Sequence, residues 1–324
     1  VAVPLLAGTA WWTLALIYAG PGPAWMKTAL ALSYAGGTVA ALLWVRPFRW
    51  ALGIWGAGFV VLLGWWISIQ ASNDRDWAPD VARVPSVELR GDRLTFHNVR
   101  NFDYRTENDF TPRYEDRNVD LARLRGLDLF MVYWGSPMIA HTIMSWQFED
   151  SPPIAISIET RKQRGQRYSA VEGFFKQYEL IYVVADERDV VRLRTNYRGE
   201  QVYLYRLKTP LPQARALLLD YVDVMNALVQ HPKFYNALLD NCTTSIRHHA
   251  KRINPDAPPF DWRLIANGYG DQLMYERDTV DTRLPFADLR ARSLVNARAK
   301  AADQDPAFST RIREGLPDPR SPQR

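Results

Sequence analysis

The only cysteine of the 324-residue chain, Cys242, stands in the stretch LLDNCTTSIRHHA (238–250). Asp240 or Asn241 before it is a good helix N-cap, and CTTSIRHHAKR runs on with helical character. Cys242 is therefore expected in the first turn of a helix. There the unpaired amides and the positive end of the helix dipole favour a thiolate. The same amides can receive the oxyanion of a tetrahedral intermediate. The competing reading is an inert filler, because a lone cysteine packs as a small hydrophobe.

A thiolate nucleophile needs an imidazole within hydrogen-bond reach, and the chain has five histidines. His248 and His249 follow on the same helix, roughly 9–10 Å beyond Cys242 at 1.5 Å per residue, and are expected on a solvated face. His231 precedes Pro232 in a loop, and His97 lies on an early strand among polar neighbours. His141 differs, being the polar exception in the apolar strand PMIAHTIMSW (137–146). The next strand, AISIET (155–160), places Ser157 and Glu159 on one face by parity. Glu159 could hold the Nδ1–H of His141 and fix its tautomer. A surface glutamate paired with Arg161 or Lys162 fits the same spacing.

The elements that must carry these residues fall into two parts. Residues 1–73 contain no Asp or Glu, only Lys27, Arg46 and Arg49 as basic residues, and eight of the twelve tryptophans. Three apolar stretches (about 3–20, 24–45 and 50–71), broken by GPGP and RPFR, each approach the ~20 residues that cross a bilayer as a helix. A cleaved signal peptide would account for the first stretch alone and leave two unexplained. Arg46 and Arg49 favour the cytoplasmic side, which sends everything from residue 74 onward to the opposite face, the periplasm of a bacterium. The remainder carries 37 Lys and Arg against 35 Asp and Glu, too balanced for nucleic-acid binding. In such an oxidising compartment a single thiol is a liability unless it has a use.

Residues 74–87 read as a linker and 88 to about 105 as a strand pair. Residues 136–150 and 152–163 form a hairpin turning at EDSPP, and 200–207 is a further strand. LPQARALLLDYVDVMNALVQ (211–230) is an amphipathic helix ending before Pro232. Helical segments follow near 261–276 and 285–302, and 303–324 reads as a polar, frayed tail. The expectation is an α+β domain over 88–302, with helices packed around a small antiparallel sheet, preceded by three transmembrane helices in 1–73.

Histidine before cysteine reverses papain's order and resembles the circularly permuted branch of the NlpC/papain-like thiol enzymes. More narrowly, NVRNFDYRTENDFTPRYEDR (98–117), IAHTIMSWQFED (139–150), SIETRKQRGQRYS (157–169), YVVADERDVVRLR (182–194) and FYNALLDNCTTSI (234–246) resemble the periplasmic domain of Lnb-type bacterial lipoprotein N-acyltransferases. The resemblance covers about residues 90–280. It implies a permuted papain-like domain with Cys242 as nucleophile, His141 as base and Glu159 as a third, orienting residue. Ser157, Asn241 and Arg188 are the expected substrate-binding contacts, while Glu187 and Arg194 are structural or head-group contacts. It further implies a phospholipid or other acyl donor, a bacterial lipoprotein as acceptor, and no cofactor or metal, in a multi-pass protein of the inner membrane. A thiol hydrolase acting on cell-wall peptide or lipid thioester, and a scaffold with a degenerate site, remain the alternatives.

Overall fold

The computed structural model describes residues 2–254, 256 and 259–320. Three apolar helices come first: α1 (Ala2–Ala19), α2 (Ala24–Trp44) and α3 (Phe48–Ser68). Three full spans were expected, but among the described residues only α2 and α3, 21 residues each, are long and apolar enough to cross a membrane. Instead α1 packs beside the hairpin. Trp12 is buried against Phe59 and Trp66, and Trp55 Nε1 donates to Thr9 Oγ1 at 3.1 Å. The hairpin puts Arg46 and Arg49 at the end away from the domain, since α3 leads directly into it.

The domain is α+β, with a larger sheet than the small antiparallel one expected. Its strands are β1 (Ser86–Arg90), β2 (Arg93–Arg100), β3 (Asp103–Tyr104), β4 (Phe110–Thr111), β5 (Tyr114–Asp120), β6 (Leu124–Tyr133), β7 (Ala140–Phe148), β8 (Ile154–Arg161), β9 (Glu179–Ala185) and β10 (Gln201–Arg206). Eight of these form one mixed sheet in the order β1-β2-β9-β8-β7-β6-β10, with β5 on β2, and β2 meets β9 in parallel. The hairpin β7–β8 turns at EDSPP, as its sequence indicates.

Strands β6 to β9 are apolar almost throughout because helices cover both faces. On one face α5 (Leu211–Gln230) buries Leu217, Leu218, Tyr221 and Met225, with α6 (Cys242–Ile253) beside it. On the other, α4 (Glu187–Arg192) packs its Val190 and Val191 with residues of α9 (Asn296–Ala301) and α10 (Phe308–Arg311). The helices α7 (Gly270–Glu276) and α8 (Phe286–Ser293) close one end.

Two segments expected to be loose are packed. In the linker, Trp77 is buried under the Arg161 guanidinium at 4.1 Å. In the tail, Phe308 and Ile312 are buried, and Arg313 bridges Asp128 (2.9 Å) and Glu187 (2.6 Å). Both carboxylates are fully buried, so the arginine must follow them inside. Composition alone hid this, because the polar tail carries the counter-charge for the sheet.

Candidate active site

Cys242 is the first residue of α6. Asn241 caps that helix, its Oδ1 accepting from the amides of Thr243 and Thr244 at 2.9 Å each. Thr244 Oγ1 in turn accepts from the Asn241 amide at 3.0 Å, completing a capping box. The sulfur is thus held among first-turn amides that have no intrahelical acceptor.

His141 reaches the same point from the sheet. The register of β7 with β8 runs only from Ile143↔Ser157 to Trp146↔Ile154, so the two strands part at the His141 end. The thiol sits there, near enough to His141 and Thr142 for both to favour its thiolate, with Thr243 Oγ1 3.9 Å from the sulfur. Asn267 ties the two elements together. It exchanges hydrogen bonds with the Ala140 backbone (2.8 and 2.6 Å) and donates to Thr243 Oγ1 at 2.5 Å. The next residue must be glycine, because a Cβ at Gly268 would lie 2.1 Å from the Pro137 carbonyl oxygen.

Behind the ring, His141 Nε2 lies 2.7 Å from Ser157 Oγ and 3.1 Å from Glu159 Oε1. Ser157 donates to Glu159 at 2.7 Å, and Arg194 Nη2 donates to the same carboxylate oxygen at 2.9 Å. Glu200 holds the other end of Arg194 at 3.0 Å. The orienting role was expected at Nδ1. The carboxylate instead meets Nε2, so Nδ1 is the ring nitrogen that Glu159 and Ser157 leave unengaged.

The electrostatics follow from this row. Burial opposes charge on His141, but Glu159 and the Cys242 sulfur outweigh it against Arg194, raising the imidazole to about 9. Burial likewise pushes the thiol up, yet His141 and the hydrogen bonds from His141 and Thr142 pull it down to about 7. Glu159 is held well below the usual carboxylate range: burial opposes its charge, and His141 and Arg194 overcome that. Between roughly pH 7 and 9 the stable form is therefore a thiolate–imidazolium pair.

Five of the six expected site residues come together: Cys242, His141, Glu159, Ser157 and Asn241. Ser157 is fully buried behind the ring, so it serves His141 and cannot be the substrate contact expected. Arg188 does not line the cavity. The helical stretch turns Val190, Leu193, Arg194 and Arg198 toward it, and Arg188 lies on another side. His249, expected on a solvated face, is 1% exposed, between Asp220 (2.5 Å) and the Tyr182 hydroxyl (2.8 Å). It stacks on Tyr221 at 3.8 Å, and burial holds it down to about 4, a neutral core histidine. Sequence reading gave Asn267 no role and Arg194 no chemistry. Only the run DERDVVRLR drew attention to Arg194, and nothing near Asn267 did.

The sulfur and ring open into a cavity of about 460 Å³. Its lining is mixed: Asp80, Glu107, Lys162, Arg198 and Glu200 supply polar side chains, and Trp134, Ile139, Phe174, Leu264 and Ile265 supply apolar ones.

Residues 110–268 match the family model described as the Lnb N-terminal periplasmic domain. This stretch is a domain of the Lnb type. No curated protein and no solved structure matches the chain. The matched stretch runs from β4 past α6 to Asn267 and Gly268, so it holds the whole Cys242–His141–Glu159 row. With the two apolar helices ahead of it, this makes the chain a membrane-associated protein carrying an Lnb periplasmic domain.

Proposed function

We propose that the domain is a thiol acyltransferase that N-acylates the lipidated N-terminal cysteine of bacterial lipoproteins, from the periplasmic face of the inner membrane. The observation that carries this reading is the Cys242 sulfur at a capped helix N-terminus against His141, beside a cavity whose lining is partly apolar. The arrangement has the parts of a permuted papain-like site, histidine on a strand preceding cysteine at a helix start.

The thiolate attacks an ester carbonyl of the lipid donor, and the Cys242 amide, the first-turn amide of α6 that the Asn241 cap does not engage, receives the oxyanion. His141 Nδ1–H protonates the departing alcohol, leaving an acyl-thioester on Cys242. The lipoprotein α-amine then adds to the thioester carbon and yields its proton to His141. Collapse of that intermediate forms the amide and releases the thiolate. Glu159, braced by Arg194, keeps the ring protonated on Nε2 and turned toward the sulfur.

The polar side chains of the lining favour a second reading, a thiol hydrolase in which water takes the place of the amine. Intact-mass measurement on the purified protein with phospholipid separates them. Transfer expects one acyl group on Cys242, stable without acceptor, released by neutral hydroxylamine and passed to a lipoprotein amine. Full activity in Cys242→Ala would rule out both, and rapid donor hydrolysis with no transfer would favour the hydrolase.

A further inference from the structure

The apolar part of the cavity lining continues onto the surface. Leu239, Phe260, Trp262, Ile265 and Ile139 are each more than half exposed. Leu264 and Ile265 line the cavity, and Trp262 begins the same turn, with its ring 5.6 Å from Tyr269. The 134–139 loop is held to the following turn, Asn267–Tyr269, by the Gly268 amide, which donates to the Met138 carbonyl at 2.9 Å. The Ala237 amide donates to the Gly173 carbonyl at 3.2 Å, joining the Leu238–Leu239 loop to the turn at 172–174. Exposed apolar residues grouped around a cavity mouth mark a partner or a membrane.

The neighbouring segment identifies the occupant. Phe175, directly after that turn, is 3% exposed because it packs among the membrane helices, stacked on Tyr18 at 5.2 Å and 4.9 Å from Trp11. Lys176 Nζ donates to the Trp66 and Ile69 carbonyls (2.7 and 3.1 Å) at the end of α3. Indole rings at a helix end lie at the membrane–water boundary. The domain thus already touches bilayer depth at Phe175, two residues beyond the glycine bonded to the Leu238–Leu239 loop.

We propose that the mouth of the Cys242 cavity is seated in the lipid leaflet. Leu238, Leu239, Phe260 and Trp262 dip among the acyl chains, so that glycerolipid chains enter the cavity sideways from the bilayer. The polar side chains of the lining keep the charged end of the lipid in water. This deepens the proposed acyl transfer by fixing where its donor comes from, and it holds equally for a lipid hydrolase.

The test uses the full chain in phosphatidylethanolamine–phosphatidylglycerol nanodiscs, in a Cys242→Ala background so that only introduced thiols react. A polarity-sensitive fluorophore is placed on Leu239→Cys, Trp262→Cys or Arg90→Cys. Arg90 ends β1, beside Asp92, which pairs with Arg215 near the start of α5. It therefore lies most of the roughly 30 Å length of α5 from the membrane-proximal end, where Asn73 binds the Leu228 carbonyl. Nitroxide on the lipid acyl chain should quench labels at 239 and 262 at least twofold more than the label at 90. Equal quenching at all three positions overturns the proposal. Because Cys242 is absent, this outcome is independent of whether the acyl chemistry is right. With Cys242 restored, Leu239→Glu/Trp262→Glu should acylate at least tenfold more slowly from nanodisc phospholipid and at the unchanged rate from a water-soluble ester. A variant that keeps the full rate with nanodisc phospholipid contradicts the inference.

Discussion

Replacing His141 by alanine removes the group that chiefly lowers the Cys242 thiol. With His141 the thiol lies at about 7 against an ordinary value of 9.0, so half of it is thiolate at pH 7. Without the imidazole, burial is opposed only by the Thr142 hydrogen bonds and the value should rise to about 9, leaving about 1% thiolate at that pH. The ratio of populations is then about 50-fold. A thiolate of higher pKa is also the better nucleophile, by about 6- to 10-fold for two units at a Brønsted slope of 0.4–0.5. The net fall in alkylation rate at pH 7 is therefore about 5- to 8-fold. The assay is iodoacetamide labelling of the single cysteine, followed by intact mass from pH 5.5 to 10. His141→Ala should move the midpoint from about 7 to about 9, and near pH 10 its labelling should equal or exceed that of the parent protein. A midpoint that stays near 7 in the variant would refute the argument, because the start of α6 would then suffice to lower the thiol without the imidazole.

Acylation should rise with pH through about 7, as the sulfur loses its proton, and fall through about 9, as the imidazolium that protonates the leaving group loses its own. Glu159→Gln removes the main group raising His141, so the upper limb of the pH–rate profile should shift down; an unmoved limb would deny Glu159 its orienting role. Asn241→Ala should cost about 1 kcal/mol in urea denaturation by freeing the Thr243 and Thr244 amides, while Asn241→Asp should restore most of it. Arg313→Met strands Glu187 and weakens the pairing of Asp128, which keeps Arg320 at 3.0 Å, so a loss near the lower end of about 3–5 kcal/mol is expected in the same assay. Reporter fusions after residue 75 should be active only for an exported reporter; activity of a cytoplasmic reporter there would invert the topology.

Much of the chemistry was written locally, and local patterns are what a sequence displays. The Asn-Cys-Thr-Thr run specifies a capped helix start, because a cap depends on residues within one turn. The parity of Ser157 and Glu159, and the single polar break at His141, follow from the two-residue period of strands. The acid-free first 73 residues declare apolar helices by composition, although whether each is long enough depended on where its hydrogen bonding ends. Tertiary structure decided what depends on elements far apart in the chain. The parting of β7 from β8 makes room for a sulfur 101 residues beyond His141, and Glu159 meets Nε2 of the ring. Arg194 and Asn267 join the site through contacts 35 and 127 residues distant, which no period encodes. His249 shows the converse: its helical position was legible, but its burial was set by α5 and β9 packing against α6. The polar tail became ordered for the same reason, since the charges that Arg313 satisfies are buried 185 and 126 residues upstream, where only folding brings them within reach.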